Sequence, residues 1–127
     1  MILFDDDYDD WDDSVTIESD LGVLFLNQDE TPSVLEQVKG AGAPRSISLM
    51  KVYLVLGRGQ TADIRLDSSE VSRSHAALRK VGKEFVCEDM ESRNGVHLNG
   101  VKIHSATLRE GDTLQMGNVV FIYHEGS

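Results

Sequence analysis

Three short segments gather the side chains able to do chemistry: Gly57-Arg58-Gly59, Ser72-Arg73-Ser74-His75 and Ser92-Arg93-Asn94-Gly95. Each supplies a guanidinium, and the last two add hydroxyls (Ser72, Ser74, Ser92) and an amide (Asn94). Arg presents forked, always-charged donors and Ser a short neutral one, so together they suit a phosphate dianion. The same residues also read as solvated loop arginines unrelated in space, and spacing alone does not decide between the two.

Catalysis and metal binding are poorly served. Ser72 and His75 lie three apart on a loop, with no G-x-S-x-G context to build a nucleophile elbow. His75, His97, His104 and His124 lack metal-ligand spacing, and Cys87 stands alone. Gly57-Arg58-Gly59 lacks the lysine and the length of an NTPase phosphate loop. Counted as a calcium loop from Asp5, the aspartate run has Asp10 where glycine is needed and Thr16 where glutamate is needed. The expectation is no enzyme in the visible chain, no metal and no cofactor.

The elements that position these segments read as an all-β domain. From residue 33 onward, short apolar or alternating runs are separated by turn residues, as in a sandwich. Strands are expected at Val34–Lys39, Ile47–Leu49, Val52–Leu56, Asp63–Leu66, Ala76–Val81, Glu84–Glu88, Val96–Leu98, Thr113–Met116 and Val119–His124. Asn99-Gly100 is the best hairpin turn, because Asn-Gly tolerates positive φ. No window shows a helical period.

Composition sets the outer bounds. The chain has 127 residues, 40% hydrophobic, with a formal net charge of −10. That is one domain's length, without an apolar run long enough for a membrane span and without a basic, then apolar, leader after Met1. A single Cys87 fits a reducing, cytoplasmic setting. The charge divides unevenly: residues 1–32 hold 11 acids and no Lys or Arg, and residues 33–127 hold 11 acids and all 12 bases. The reading is an acidic, mostly disordered tail over 1–32, with a short apolar docking segment near Val23–Leu26, and a nearly neutral domain over 33–127. Such a chain is a poor binder of bare nucleic acid or anionic membrane.

Residues 33–125 resemble a forkhead-associated (FHA) domain. The resemblance rests on Leu56-Gly57-Arg58, Ile64-Arg65-Leu66, Val71-Ser72-Arg73-Ser74-His75-Ala76, Asp89 with Ser92-Arg93-Asn94-Gly95, Leu98-Asn99-Gly100, Leu108 with Gly111-Asp112, and Met116-Gly117. It implies a β-sandwich of about 10–11 strands that binds phosphothreonine peptides through its loops, as the N-terminal module of a larger signalling protein. By matching position it gives Arg58 and Ser72 the phosphate, Arg73 a supporting role and Asn94 the ligand backbone. Threonine is preferred over serine in the family because its methyl fills an apolar pocket. Gly57, His75 and Gly95 support the loops structurally. Arg93 departs from the usual Ser or Thr at its position, either strengthening phosphate binding or meeting an acidic flank of the ligand. Glu70 lies in a loop that reads the residue after the phosphate and argues against an acidic ligand residue there.

The tail poses its own question, since Thr16 and Thr31 are candidate phosphorylation sites. A Ser/Thr kinase acting on one would create a tethered ligand for the domain, at an effective concentration on the order of millimolar, and a switch for an attached output domain such as a diguanylate cyclase or kinase. The 17 residues from Thr16 to Ser33 can span at most roughly 55–60 Å. The resemblance implies that the chain ends leave the domain away from its binding loops, so Thr31 would reach a neighbour's pocket and not its own. The alternatives are an outside phosphoprotein as ligand, with the aspartates serving only solubility, or an unphosphorylated tail competing for the arginines. Another is a phosphate-independent interaction or dimerisation domain that uses a sheet face.

Overall fold

A computed structural model describes residues 31–127, and within them the alternating runs build eleven strands. These are β1 (Val34–Lys39), β2 (Arg45–Ser48), β3 (Tyr53–Gly57), β4 (Ile64–Arg65), β5 (Ala76–Val81), β6 (Glu84–Asp89), β7 (Val96–Leu98), β8 (Val101–Ile103), β9 (Ser105–Thr107), β10 (Thr113–Met116) and β11 (Val119–His124). The described residues contain no helix, hence none long and apolar enough to cross a membrane. The aspartate run, Thr16 and the apolar segment near Val23–Leu26 lie outside the described residues.

The strands form two sheets, one of six in the order β2-β1-β11-β10-β7-β8 and one of five in the order β4-β3-β5-β6-β9. Every pairing is antiparallel except β3 with β4. In β11 the buried Val119, Phe121 and Tyr123 alternate with half-buried Val120, Ile122 and His124. A period of two puts one set of side chains on the covered face of a strand. Phe85 and Cys87 of β6, Leu114 and Met116 of β10, and Leu54 and Leu56 of β3 meet them between the sheets. Each such large apolar side chain stabilises the fold by about 1.5–3 kcal/mol relative to exposure. Burial pushes the Cys87 thiol up to about 12, helped by the nearby Asp89 and Glu88 charges, so this thiol is held protonated and unreactive.

Several sequence expectations are corrected at the strand level, and the strand expected at Ile47–Leu49 runs instead over Arg45–Ser48. Val101–Ile103 and Ser105–Thr107 are strands that the alternation did not reveal, because both are short edge segments with exposed residues. The expected strand Asp63–Leu66 shortens to Ile64–Arg65, since only Leu56↔Ile64 and Gly57↔Arg65 pair. The Asn99-Gly100 hairpin forms, joining Leu98 to Val101 with φ of 52° and 85° at its two central residues. Positive φ at both is the twist-matched geometry of a two-residue hairpin.

The sandwich has two unlike ends. At one end the β10–β11 turn meets the loops after β1 and β4: Gly40 abuts Val119 and Asn118, and the Ser68 hydroxyl donates to Asn118 Oδ1 at 2.6 Å. At the other end β1 begins beside the end of β11, with Val34 opposite His124.

Candidate functional site

The loops after β3 and before β5 are joined through their backbones. The Arg58 N–H donates to the Ser72 carbonyl at 2.9 Å, and the Gly59 N–H to the Arg73 carbonyl at 3.0 Å. This approach requires glycine at 57, where a Cβ would collide with the Arg73 carbonyl. Arg58 and Ser72, 14 residues apart in sequence, become neighbours because two backbones meet where a side chain would have kept them apart.

His75 fixes the next layer. It is fully buried; its Nδ1 accepts the Ser72 N–H at 3.0 Å and its Nε2 bonds the Gly95 carbonyl at 2.8 Å. An amide N–H can only donate, so Nδ1 is the bare nitrogen and Nε2 carries the proton. One imidazole thereby ties the Ser72 loop to the Arg93 loop and is spent on that task. The Arg93 loop is braced internally: the Ser92 hydroxyl donates to Asp89 Oδ1 at 2.5 Å and accepts the Gly95 N–H at 2.9 Å. Gly95 itself holds φ of 78°, where an L side chain is disfavoured.

These supports place Arg58, Ser69, Glu70, Val71, Ser72, Arg73 and Arg93 around one cleft of about 240 Å³. Arg58 is held across it by its Nε, which donates to the Val71 carbonyl at 3.0 Å, leaving its terminal nitrogens for a ligand. The Ser72 hydroxyl accepts the Arg93 N–H at 3.0 Å, a bond that does not consume its own proton. Among the described residues, none of Arg58, Arg73 and Arg93 forms a salt bridge. Three guanidiniums face one carboxylate, Glu70, so the cleft suits an anion.

The other sequence candidates are placed differently. Asn94 is exposed beside the cleft and does not line it; its Nδ2 donates to the Glu70 carbonyl at 2.7 Å, which leaves Oδ1 as an acceptor. Ser92 is committed to the loop brace. Thr31 lies at the far end, where its N–H donates to the Ser127 hydroxyl at 3.0 Å and its hydroxyl accepts the Ser127 N–H at 3.2 Å. The six residues of β1 separate it from the loop end by roughly 20 Å at ~3.3 Å per residue. Sequence reasoning missed Ser69 as a lining residue and Gly117 as a support, where an added Cβ would meet the Glu70 Cβ at 2.7 Å. In the sequence Gly117 stands only as part of the Met116-Gly117 motif, without a supporting role at the site.

The sequence profile of the FHA domain matches residues 54–117. The oxoglutarate dehydrogenase inhibitor of Corynebacterium jeikeium is 32% identical over 98 residues, covering 77% of this chain and 68% of that protein. The transcriptional regulatory protein EmbR of Mycobacterium tuberculosis is 38% identical over 80 residues, covering 62% of this chain but only 21% of EmbR. The structure of EmbR in complex with a low-affinity phosphopeptide matches with a TM-score of 0.70 at 30% identity, over 76% of this chain and 25% of that one. A structure solved to analyse phosphothreonine-dependent FHA domain interactions matches with a TM-score of 0.67 at 30% identity, over 74% of this chain and 96% of that one.

Proposed function

The chain belongs to the FHA domain family, and we propose that it is a phosphothreonine-dependent peptide-binding module in signalling. The observation that carries this reading is the joint placement of Arg58 and Ser72 on one cleft, each anchored through an atom the ligand does not need. A phosphate dianion there takes charge-assisted bonds from the terminal nitrogens of Arg58 and a short bond from the Ser72 hydroxyl. Arg73 and Arg93 add positive charge from the rim. Asn94 Oδ1 accepts a backbone N–H of the ligand beside the phosphothreonine and so fixes its direction. Residues 33–127 act as the recognition domain and residues 1–32 as a tail, within a cytoplasmic protein.

The ligand is a phosphoprotein written by a Ser/Thr kinase, and phosphorylated Thr16 of the chain's own tail is a candidate. The tail's 11 acids without a base and the cationic cleft support this pairing. Captured in this way, the tail would gate an attached output domain. A second reading, a sheet-face interaction that needs no phosphate, draws on Tyr53 and Val81, which are 47% and 49% exposed.

The test is a calorimetric titration of the full chain with a Thr16-centred peptide in its threonine, phosphoserine and phosphothreonine forms, followed by a phosphothreonine peptide library. Binding confined to phosphothreonine peptides and abolished by Arg58→Ala supports the proposal. Binding indifferent to phosphate and to Arg58→Ala, but lost on Tyr53→Ala, would favour the sheet face.

A further inference from the structure

A second cleft of about 550 Å³ adjoins the first and is lined by Arg58, Gly59, Gln60, Arg65, Asp67 and Arg73. Arg58 and Arg73 line both clefts, so an anion seated in the first lies beside the second. The arginine peculiar to the second cleft is Arg65, and it is held by a relay of hydrogen bonds. Its Nε donates to the Arg58 carbonyl at 3.2 Å, and its own carbonyl accepts Arg45 Nη2 at 3.0 Å. Arg45 Nε in turn donates to Gln37 Oε1 at 2.6 Å, and Gln37 is fully buried. Gln37 also donates from Nε2 to the Lys39 and Ala41 carbonyls at 3.1 and 3.0 Å, so all its polar atoms are satisfied. A buried amide with every bond made is a rigid anchor. It fixes the backbone of an arginine whose guanidinium bonds within the described residues only through Nε and keeps its forked terminal nitrogens for something else.

We propose that this cleft is a second anion sub-site, with Arg65 selecting phosphothreonine ligands that carry a further anionic group, a carboxylate or a second phosphate, close to the phosphothreonine. This rests on the phosphothreonine reading and deepens it by naming the ligand class. Three guanidiniums against the single carboxylate of Asp67 give the sub-site a net positive charge. With the phosphate already partnering Arg58 and Arg73, a ligand neutral at that point would leave Arg65 without a partner anion, whereas an acidic one exchanges water for charge-assisted bonds. The cleft lies on the β3–β4 side of Arg58, away from the Glu70 carboxylate that lines only the first cleft. Acidic residues are therefore accepted on one side of the phosphothreonine and opposed on the other. The tail carries acids on both sides of Thr16, Asp12 and Asp13 before it and Glu18 and Asp20 after it, so it offers the sub-site a carboxylate whichever side is accepted.

The test is fluorescence polarisation on the full chain with phosphothreonine peptides that have neutral flanks, two aspartates before the phosphothreonine, two aspartates after it, or a phosphoserine in place of the aspartates, each alongside its unphosphorylated counterpart. Each is measured against wild type and Arg65→Gln at low and high salt. The expected result is at least fivefold tighter binding when the acids lie on one particular side. Arg65→Gln should erase that preference while leaving the neutral-flank peptide within about twofold. The aspartate and phosphoserine peptides distinguish the two sources of charge. Equal affinity for acidic and neutral peptides, or an Arg65→Gln loss shared equally by both, would overturn the sub-site. If wild type bound every phosphorylated peptide no better than its unphosphorylated counterpart, the phosphothreonine reading would fall, and the sub-site with it.

Discussion

The Ser72 hydroxyl accepts the backbone N–H of Arg93 at 3.0 Å, joining two loops 21 residues apart in sequence. One oxygen thus has two tasks: its lone pair holds the neighbouring loop, and its proton is left to be donated into the cleft that Ser72 lines. Ser72→Ala removes both, and a bond to a charged group is worth about 1.5–3 kcal/mol. Phosphopeptide affinity should fall roughly 10- to 150-fold. Arg93→Ala keeps the backbone donor and removes only charge at the rim, so its loss should be smaller and should shrink further at high salt. Titration of both variants at two ionic strengths checks this ordering; a larger loss in Arg93→Ala would contradict it.

His75→Ala leaves two backbone groups, the half-buried Ser72 N–H and the buried Gly95 carbonyl, without the partner they have now. Each orphaned group costs about 1–3 kcal/mol, so urea unfolding should show a loss of several kcal/mol. The phosphopeptide affinity of the still-folded fraction should also fall. A variant of near wild-type stability would show that the imidazole is not the tie between these loops.

At Gly57 the collision of any Cβ with the Arg73 carbonyl separates the two backbones that position Arg58 and Ser72. Gly57→Ala should abolish binding, although no side chain that touches the ligand has changed. Gly100→Ala is the control. Nothing crowds its Cβ, and only its φ of 85° opposes the change, so it should cost on the order of 1 kcal/mol and leave affinity intact.

Both ring nitrogens of His124 face carboxylates, Nε2 with Glu36 at 2.8 Å and Nδ1 with Glu110 at 3.0 Å. Two acceptors call for the doubly protonated ring. The hydrogen bond to Glu36, then that to Glu110, raises the His124 pKa above its ordinary 6.5. Glu110 is lowered below 4.5 by the Glu125 N–H and then by His124. The raised group contributes stability that is complete below about 6.5 and lost as pH climbs through its folded value. The lowered group contributes stability that is present above about 4.5 and lost as pH falls through its folded value. Thermal unfolding should therefore show wild type more stable than His124→Gln near pH 5.5 and the two converging towards pH 8. Parallel profiles would sink this assignment.

Much of this architecture is legible in the sequence, for reasons that differ by element. β1, β5, β7, β10 and β11 occupy the expected residues because alternation over a half-covered sheet reports strand limits directly. β8 and β9 escape because Val101, at 65% exposure, faces no core, and β9 is recognised only by its pairing with β6. At the site, arginine and serine at turn positions were visible as residue types. Their convergence depends on the Gly57 approach and the His75 tie, which involve backbone atoms that every residue shares. The relay from Gln37 through Arg45 to Arg65 was invisible for the same reason, since two of its acceptors are main-chain carbonyls. The resemblance gave Asn94 the ligand backbone, but its own support was not legible in the sequence. That support is its bond to the Glu70 carbonyl, again a main-chain atom, which holds it beside the cleft.

The pairing of Thr31 with Ser127, beside the start of β1 and the end of β11, has a mechanical consequence. A force pulling those two residues apart acts at the adjoining ends of an antiparallel pair. It would peel β1 from β11 one hydrogen-bonded rung at a time and not shear the whole ladder at once. Tension applied there opens the domain at a low threshold, from the pole farthest from the cleft, so a pulled domain would begin to yield well before its recognition loops felt the load.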